Sequence, residues 1–216
     1  EVWKWYRTST AANASDQYYA ALDMAESGDV TGAQAAFAEL EASGPDGYAT
    51  LARFQEAALL AEEGDPQAAL AAYDALAASL DQRRLRELAY VLGGYIAVDH
   101  LDVGAVEQRV GGLTGDESSM RNSAREALGL AHYKAGNIEE ARANFEAMAA
   151  DPNAGQDIQL RAFIYLEQLA STGVDVSEDL LEAASPAGPA PDQITVPAES
   201  PSLDTVGQPL EAETEQ

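Results

Sequence analysis

Residues 48–79 read YATLARFQEAALLAEEGDPQAALAAYDALAAS. This stretch predicts two helices separated by a tight turn at Gly64 and Asp65. Glycine suits the left-handed residue that ends a helix, and aspartate can cap the helix that follows. Pro66 falls in the first turn of the second helix, where its missing N–H would have no partner anyway. The predicted unit is therefore a helical hairpin.

The hairpin recurs along the chain with a period of 36 residues. Three columns of small or turn-forming residues repeat in this phase: Ala33, Ala69, Ala105 and Ala141; Ala21, Ala57, Gly93 and Gly129; and Gly28, Gly64, His100 and Gly136. Such a period is typical of stacked two-helix units, which form extended concave binding surfaces. The predicted fold class is all-α: a right-handed α-solenoid of four helical hairpins plus a terminal capping helix.

The predicted helices follow from this phase. They are 15–27 with 31–43, 48–63 with 66–79, 83–100 with 103–113, 118–135 with 138–150, and an unpartnered ninth helix over 157–171. We expect the column that starts at Ala21, on the first helices, to face the column that starts at Ala33, on the second helices. Large residues one turn further on should wedge between repeats, at Phe37, Tyr73 and Phe145. Arg109 takes that place in the third repeat, where Gly111 and Gly112 predict a short or irregular second helix.

Composition limits the classes of function. The net charge is −25 and the isoelectric point is about 4.1, so we expect no nucleic-acid partner, because nucleic-acid binding depends on Lys and Arg neutralising phosphates. The absence of cysteine excludes disulfides, thiolate metal sites and thiol nucleophiles. The two histidines, His100 and His132, lie too far apart in the sequence to suggest a metal site. Carboxylate pairs such as Glu139–Glu140 fall at helix ends or turns, where a raised pKa is not expected. We predict neither catalysis nor a cofactor.

The two ends differ from the repeat domain, which is assigned to residues 13–173. Residues 1–12 are predicted to be the juxtamembrane segment of a truncated transmembrane helix, because Trp3, Lys4, Trp5, Tyr6 and Arg7 form an aromatic and basic cluster typical of membrane interfaces. The alternative is an ordinary first helix with aromatic core residues. Residues 174–216 hold six of the nine prolines and ten acidic residues without any Lys or Arg. That composition predicts a disordered acidic, Pro-rich tail.

An aromatic series marks the predicted partner-binding groove. Tyr18, Phe54 and Tyr90 are 36 residues apart on the first helices. Glu26 and Glu62 follow two turns later on the same face, and Tyr133 lies on it in the fourth repeat. Aromatic anchors edged with carboxylates could hold a peptide that carries basic residues. The alternative is that these rings pack against the next helix.

The fourth repeat, AREALGLAHYKAGNIEEARANFEAMAADPN (124–153), resembles a tetratricopeptide repeat. The residues that match its signature are Leu128, Gly129, Tyr133, Gly136, Ala141, Phe145 and Pro152. In that family the first helices face the concave groove, so the resemblance implies a protein-interaction surface there. The family's usual repeat is 34 residues, and the period here is slightly longer.

A narrower resemblance rests on GYATLARFQEAALLAEEGDPQAALAAYDAL (47–76) and on the aromatic and basic start. The chain resembles the bacterial family of ancillary Sec-translocon subunits, although the acidic tail departs from it. The resemblance implies a single-pass bacterial inner-membrane protein with its repeat domain in the periplasm. It implies the Sec translocon and a periplasmic chaperone as partners. The alternative is a structural or assembly subunit permanently docked in another membrane protein complex.

Overall fold

The computed structural model describes the backbone of residues 2–171 and the side chains of residues 11–171. This part of the chain is all-helical. Its helices are α1 Val2–Glu26, α2 Val30–Ser43, α3 Asp46–Glu62, α4 Pro66–Ser79, α5 Arg83–His100, α6 Val103–Val110, a 3₁₀ turn Gly111–Leu113, α7 Arg121–Ala135, α8 Ile138–Ala149 and α9 Gln156–Ser171. The predicted all-α fold class is confirmed. The predicted tail, 174–216, lies outside the described residues, as do the side chains of Trp3, Lys4, Trp5, Tyr6 and Arg7.

The helices pack as successive antiparallel hairpins. Each first helix contacts the second helix of its own repeat and the second helix of the repeat before it, and α9 covers α8. The core accordingly runs along the stack as a series of clusters rather than as one centre. Large buried rings fill it at Phe37, Tyr73 and Phe145, as the sequence predicts. Each repeat is therefore stabilised mainly by its neighbours.

Three of the four hairpin turns have the predicted chemistry. Gly28, Gly64 and Gly136 adopt φ values of +86°, +83° and +79°, a conformation that favours glycine. After the first two of these glycines, the carboxylates of Asp29 and Asp65 accept hydrogen bonds from backbone N–H groups in the first turn of the next helix. The turn sequence Gly-Asp therefore ends one helix and starts the next.

The third repeat is shifted by one residue, which the period does not reveal. The linker between α4 and α5, residues 80–82, is one residue longer than the linker between α2 and α3, residues 44–45. The helix caps record the shift: Asp29 and Asp65 are 36 residues apart, whereas the next cap is Asp102, which is 37 residues further on. His100 is consequently the last residue of α5, as the predicted helix 83–100 has it, but it is not the structural equivalent of the turn residues Gly28 and Gly64.

The shift changes which residues form the core of the third repeat. Val106 and Val110 are fully buried, whereas Ala105 and Arg109 are only partly buried. A Cβ atom at Gly94 would lie 2.6 Å from Val110, just as a Cβ atom at Gly129 would lie 2.5 Å from the ring of Phe145. The prediction that Gly93 and Ala105 belong to the two small-residue columns is therefore wrong, because Gly94 and Val106 hold those positions in the third repeat.

The contact at Gly129 also corrects the prediction that the two small-residue columns face each other within each hairpin. Gly129 abuts the ring of Phe145, which lies one turn beyond the alanine column. The small residue on the first helix thus makes room for the large residue on the second helix. Beside Gly129 the ring of Phe145 leaves no space for a methyl group, whereas in the first repeat Ala21 and Phe37 hold the equivalent positions and are both fully buried.

Two helices begin three or more residues from the predicted start, and one is irregular as predicted. α1 starts at Val2 rather than at 15, since neither glycine nor proline interrupts residues 2–27. α7 starts at Arg121 rather than at 118, because the Ser118 hydroxyl accepts a hydrogen bond from the Met120 N–H and donates one to Glu87. α6 ends at Val110 and continues only as a 3₁₀ turn, which confirms the prediction for this helix.

Candidate protein-binding site

A cleft of about 290 Å³ lies between the first helices of the first two repeats. We call it the α1–α3 cleft. Its floor is apolar, formed by Leu22, Ala25, Phe37, Ala58 and Leu59, and Glu26 and Glu62 stand at its edge with Gln55. The alanines keep the two helices from filling the gap between them. The cleft can therefore take an apolar side chain, with carboxylates beside it.

The electrostatic potential at this edge is negative for two reasons. Glu26 and Glu62 are exposed, and they are the last residues of α1 and α3. A helix C-terminus carries the negative end of the helix dipole, so a carboxylate there is unfavourably placed. The effect reaches the nearby core, because burial and then the charge of Glu62 raise the pKa of Tyr73.

Few basic groups neutralise this end of the molecule. Residues 11–79 carry twelve acidic residues and one basic residue, Arg53. Arg53 Nε lies 3.4 Å from the Glu41 carboxylate, away from the cleft edge. Among the described side chains, none forms an ion pair with Glu26 or Glu62. This half of the stack thus presents an excess of uncompensated negative charge.

A second cleft, of about 280 Å³, lies between α7 and α9, the last two helices that occupy first-helix positions. We call it the α7–α9 cleft. It is mainly apolar, lined by Leu130, Tyr133, Phe145, Ile164, Tyr165, Gln168 and Leu169. Tyr133 is 37% exposed and Ile164 is 52% exposed, whereas Phe145 and Tyr165 stack with their ring centroids 4.6 Å apart. The cleft therefore has a fixed floor and an exposed apolar rim.

The aromatic series lies mostly in the core. Tyr18 is 9% exposed and packs on Phe37 and Tyr48, with ring centroids 5.8 and 6.1 Å apart. Phe54 is half-buried and packs on Tyr73. For these two rings the geometry fits the packing alternative.

Tyr90 does not share the position of Tyr18 and Phe54. The shift of the third repeat brings Val91 to that position, where it is buried at 3% exposure. Tyr90 instead packs, half-buried, against the core cluster around Tyr73. The equivalent residue in the fourth repeat is Glu126. The predicted aromatic ladder therefore contains only two residues. Among the predicted groove residues, Tyr133, Glu26 and Glu62 are the most exposed to solvent.

A buried carboxylate on α7, which the sequence did not single out, connects three helices. The Glu126 carboxylate accepts hydrogen bonds of 2.9 Å from the hydroxyls of Tyr95 on α5 and Tyr165 on α9. Arg161 on α9 donates two more, at 3.1 and 3.2 Å. Burial first, and then Glu126, raise the pKa of both tyrosines, to about 12 for Tyr165. The 36-residue period contained a signal for this site, because Glu126 lies in phase with Tyr18 and Phe54 and puts a carboxylate where those repeats have an aromatic ring.

Lys134, near the end of α7, was also missed. Its Nζ donates to the carbonyl oxygens of Val98, at 2.9 Å, and Asp99 at the C-terminal end of α5. The ammonium group thereby joins the ends of two consecutive first helices. The period provides the signal, because Lys134 lies in phase with Glu26 and Glu62 and has the opposite charge.

The described side chains of residues 11–171 form no candidate metal site. No group of three or more His, Asp or Glu side chains there could hold a metal ion. His100 is exposed, and His132 Nδ1 lies 3.3 Å from the amide nitrogen of Asn137. In the same part of the chain, no helix has both the length and the apolar character that crossing a bilayer requires.

The stacked hairpins and the clefts between their first helices define a helical-repeat protein. The sequence profile of the tetratricopeptide repeat-like domain matches residues 1–170, and the chain therefore belongs to that family. Domains of this family are typically protein-interaction modules rather than catalysts. Comparisons with curated proteins and with solved structures gave no match.

Proposed function

We propose that this chain is a membrane-tethered scaffold for protein–protein interaction in the bacterial cell envelope. Its repeat domain would lie in the periplasm and link the Sec translocon to periplasmic chaperones, as the resemblance to ancillary translocon subunits implies. Partners bind in the clefts between consecutive first helices. No catalytic role is part of the proposal.

The observation that carries the proposal is the pair of clefts at the two ends of the stack. The α1–α3 cleft has an apolar floor and an acidic edge, and the α7–α9 cleft is mainly apolar. Exposed apolar surface bordered by polar groups is typical of protein-binding sites. Two different surfaces on one rigid stack suit a scaffold that holds two different partners.

The course of α1 supports the tether. The helix runs without a break from Val2 to Glu26, so the segment that contains Trp3 and Trp5 leads directly into the first repeat. A helical connection would hold the α1–α3 cleft at a defined distance from the membrane. Tethering raises the effective concentration of the scaffold for partners that sit at the same membrane.

One observation favours the alternative of a structural or assembly subunit. Leu160 and Ile164 lie one turn apart on α9 and are 47% and 52% exposed. Neighbouring exposed apolar residues at the end of a repeat stack suit a permanent contact, because terminal repeats otherwise carry a polar outer face. A subunit of this kind would be held in its complex through α9.

Photo-crosslinking in the cell tests the proposal. A photoreactive amino acid is placed at Glu62 or Ile164 in the full-length protein, and at Glu39 on α2 as the control. We expect Glu62 or Ile164 to crosslink a translocon subunit or chaperone in the membrane fraction, and Glu39 not to do so. Crosslinks from Ile164 to a different membrane complex would favour the alternative. Equal crosslinking from all three positions, or a protein that protease added to spheroplasts cannot reach, would contradict the proposal.

A further inference from the structure

The chain contains its own example of a cation bound between two first helices. Lys134 on α7 reaches the C-terminal end of α5 and donates to the carbonyl oxygens of Val98 and Asp99. Cations favour this place because the last carbonyl groups of a helix are acceptors at the negative end of its dipole. The ammonium therefore stabilises the junction between the third and fourth repeats.

The same junction between the first two repeats has a carboxylate instead. Glu62 on α3 lies 72 residues before Lys134, two full periods, and so holds the corresponding position beside the end of α1. The end of α1 is itself Glu26. Two carboxylates and two helix C-termini thus meet at the edge of the α1–α3 cleft, and no basic side chain among those described pairs with either carboxylate.

The cleft beside these carboxylates is shaped for an apolar group. Leu22, Phe37 and Leu59 form its floor, and its volume of about 290 Å³ suits one large side chain. A segment that combines an apolar residue with a Lys or Arg would fill the floor and neutralise the edge together. Acidic segments would be repelled by the twelve carboxylates that residues 11–79 carry.

We infer that the α1–α3 cleft binds a basic amphipathic segment of a partner protein. The segment places one large apolar side chain on the floor and a Lys or Arg between Glu26 and Glu62, where the partner's cation does what Lys134 does between α5 and α7. The inference rests on the proposed function in that the ligand is a segment of a protein partner, and it names the chemistry of that partner.

The test uses the purified full chain and a fluorescent helical peptide with leucines on one face and lysines on either side. Because two exposed ion pairs are lost, we expect the double variant Glu26→Gln/Glu62→Gln to raise the Kd by about tenfold. The matched control, Glu39→Gln/Glu107→Gln, removes two exposed carboxylates from second helices and should leave the Kd unchanged. A peptide with glutamates in place of the lysines should not bind.

A charge reversal provides an independent readout. Glu62→Lys should imitate Lys134, so that the new ammonium occupies the end of α1 itself. We expect the variant to lose peptide binding and to melt at a higher temperature than the parent chain. A Glu62→Lys variant that still binds the peptide at the parent Kd would overturn the inference.

Failure of this inference can be told from failure of the proposed function. Equal peptide affinity for the parent chain and Glu26→Gln/Glu62→Gln overturns the inference, as does tighter binding of the acidic peptide. Crosslinking of a translocon partner in the cell would then still support the scaffold role. Conversely, the expected peptide results support the inference even if no envelope partner is crosslinked in the cell.

Discussion

At the scale of single residues, close helix contact depends on which residue lacks a side chain. Gly129 on α7 lies against the ring of Phe145, which is itself buried and stacked on Tyr165. The ring is thus confined on both sides and cannot turn away from an added methyl group. Phe145 and Gly129 therefore act as a pair, and neither can be changed in size alone.

We expect Gly129→Ala to destabilise the fold by about 1–3 kcal/mol, the usual effect of overpacking a core. The matched control is Gly47→Ala on α3, where an added Cβ atom meets nothing within 4 Å. The control should be neutral or slightly stabilising, because alanine is the better helix former. Urea unfolding measures both, and equal free energies of unfolding for the two variants would refute the contact.

The two tyrosines that donate hydrogen bonds to Glu126 should make the folded chain lose stability at alkaline pH. Burial first, and then the carboxylate, raise the pKa of Tyr165 to about 12, against about 10 in an unfolded chain. A raised folded-state pKa contributes stability below pH ~10, and that stability is lost as the pH rises toward the folded value. The pKa of Tyr95 is raised by the same causes.

We expect Tyr95→Phe/Tyr165→Phe to be less stable than the parent at neutral pH and to lose less stability above pH ~10. The measurement is the unfolding midpoint as a function of pH, with phenolate absorbance followed in parallel. In the parent chain these two tyrosines should ionise last. Identical pH profiles for parent and variant would show that folding does not raise the pKa of these two tyrosines.

At the scale of the helices, the third repeat shows how a linker sets the register of two elements. One additional residue before α5 moves α5 and α6 together, so that Val106 and Val110 take the buried positions. The hairpin geometry is preserved, because both of its helices shift by the same amount. The letters that repeat at a distance of 36 are therefore not the structural equivalents in that repeat.

Paired substitutions test the shift. Ala69 is fully buried on α4, whereas Ala105 is only partly buried on α6. We expect Ala69→Leu to destabilise the chain by about 1–3 kcal/mol and Ala105→Leu to have a clearly smaller effect. Thermal unfolding distinguishes them. Equal losses in melting temperature would show that Ala105 is packed as closely as Ala69 and would refute the register shift.

At the scale of the whole described stack, polar contacts join the later repeats more than the earlier ones. Glu126 ties α5 and α9 to α7, and Arg121 on α7 donates hydrogen bonds to Asp151, which holds the pKa of that buried carboxyl well below its usual range. The first two repeats rely mainly on apolar packing, and Glu26 and Glu62 form no ion pair with any described side chain. The stack thus combines a C-terminal half joined by polar contacts with an acidic N-terminal half that contains the α1–α3 cleft.

We expect Glu126→Ala to destabilise the folded chain by about 1–3 kcal/mol, since it leaves the part-buried hydroxyls of Tyr95 and Tyr165 without their common acceptor. Hydrogen exchange should show the largest loss of protection in α9. The control is Glu167→Ala, an exposed position on α9. Loss of protection confined to α1–α4 would contradict the role of Glu126 at this end of the stack.

The sequence by itself determined the all-helical hairpin repeat, three of the four turns and the boundaries of most helices. These features depend on local chemistry: positive φ at glycine, aspartate caps and the period of small residues. Glu26, Glu62 and Tyr133 were also found from the sequence as exposed candidates for binding, and their role in binding stays a prediction. The irregular second helix of the third repeat was predicted from its two glycines.

Only the tertiary structure decided the register of the third repeat, the burial of Tyr18 and the network around Glu126. Each of these depends on side chains from different helices: Tyr18 packs on Phe37, 19 residues away, and Glu126 binds Tyr95 and Arg161, 31 and 35 residues away. A linker that is longer by one residue leaves no mark in a composition or a motif, yet it rotates a helix by more than a quarter turn. Which face of a helix is buried is therefore settled by packing between helices, within and between repeats, rather than by the local sequence.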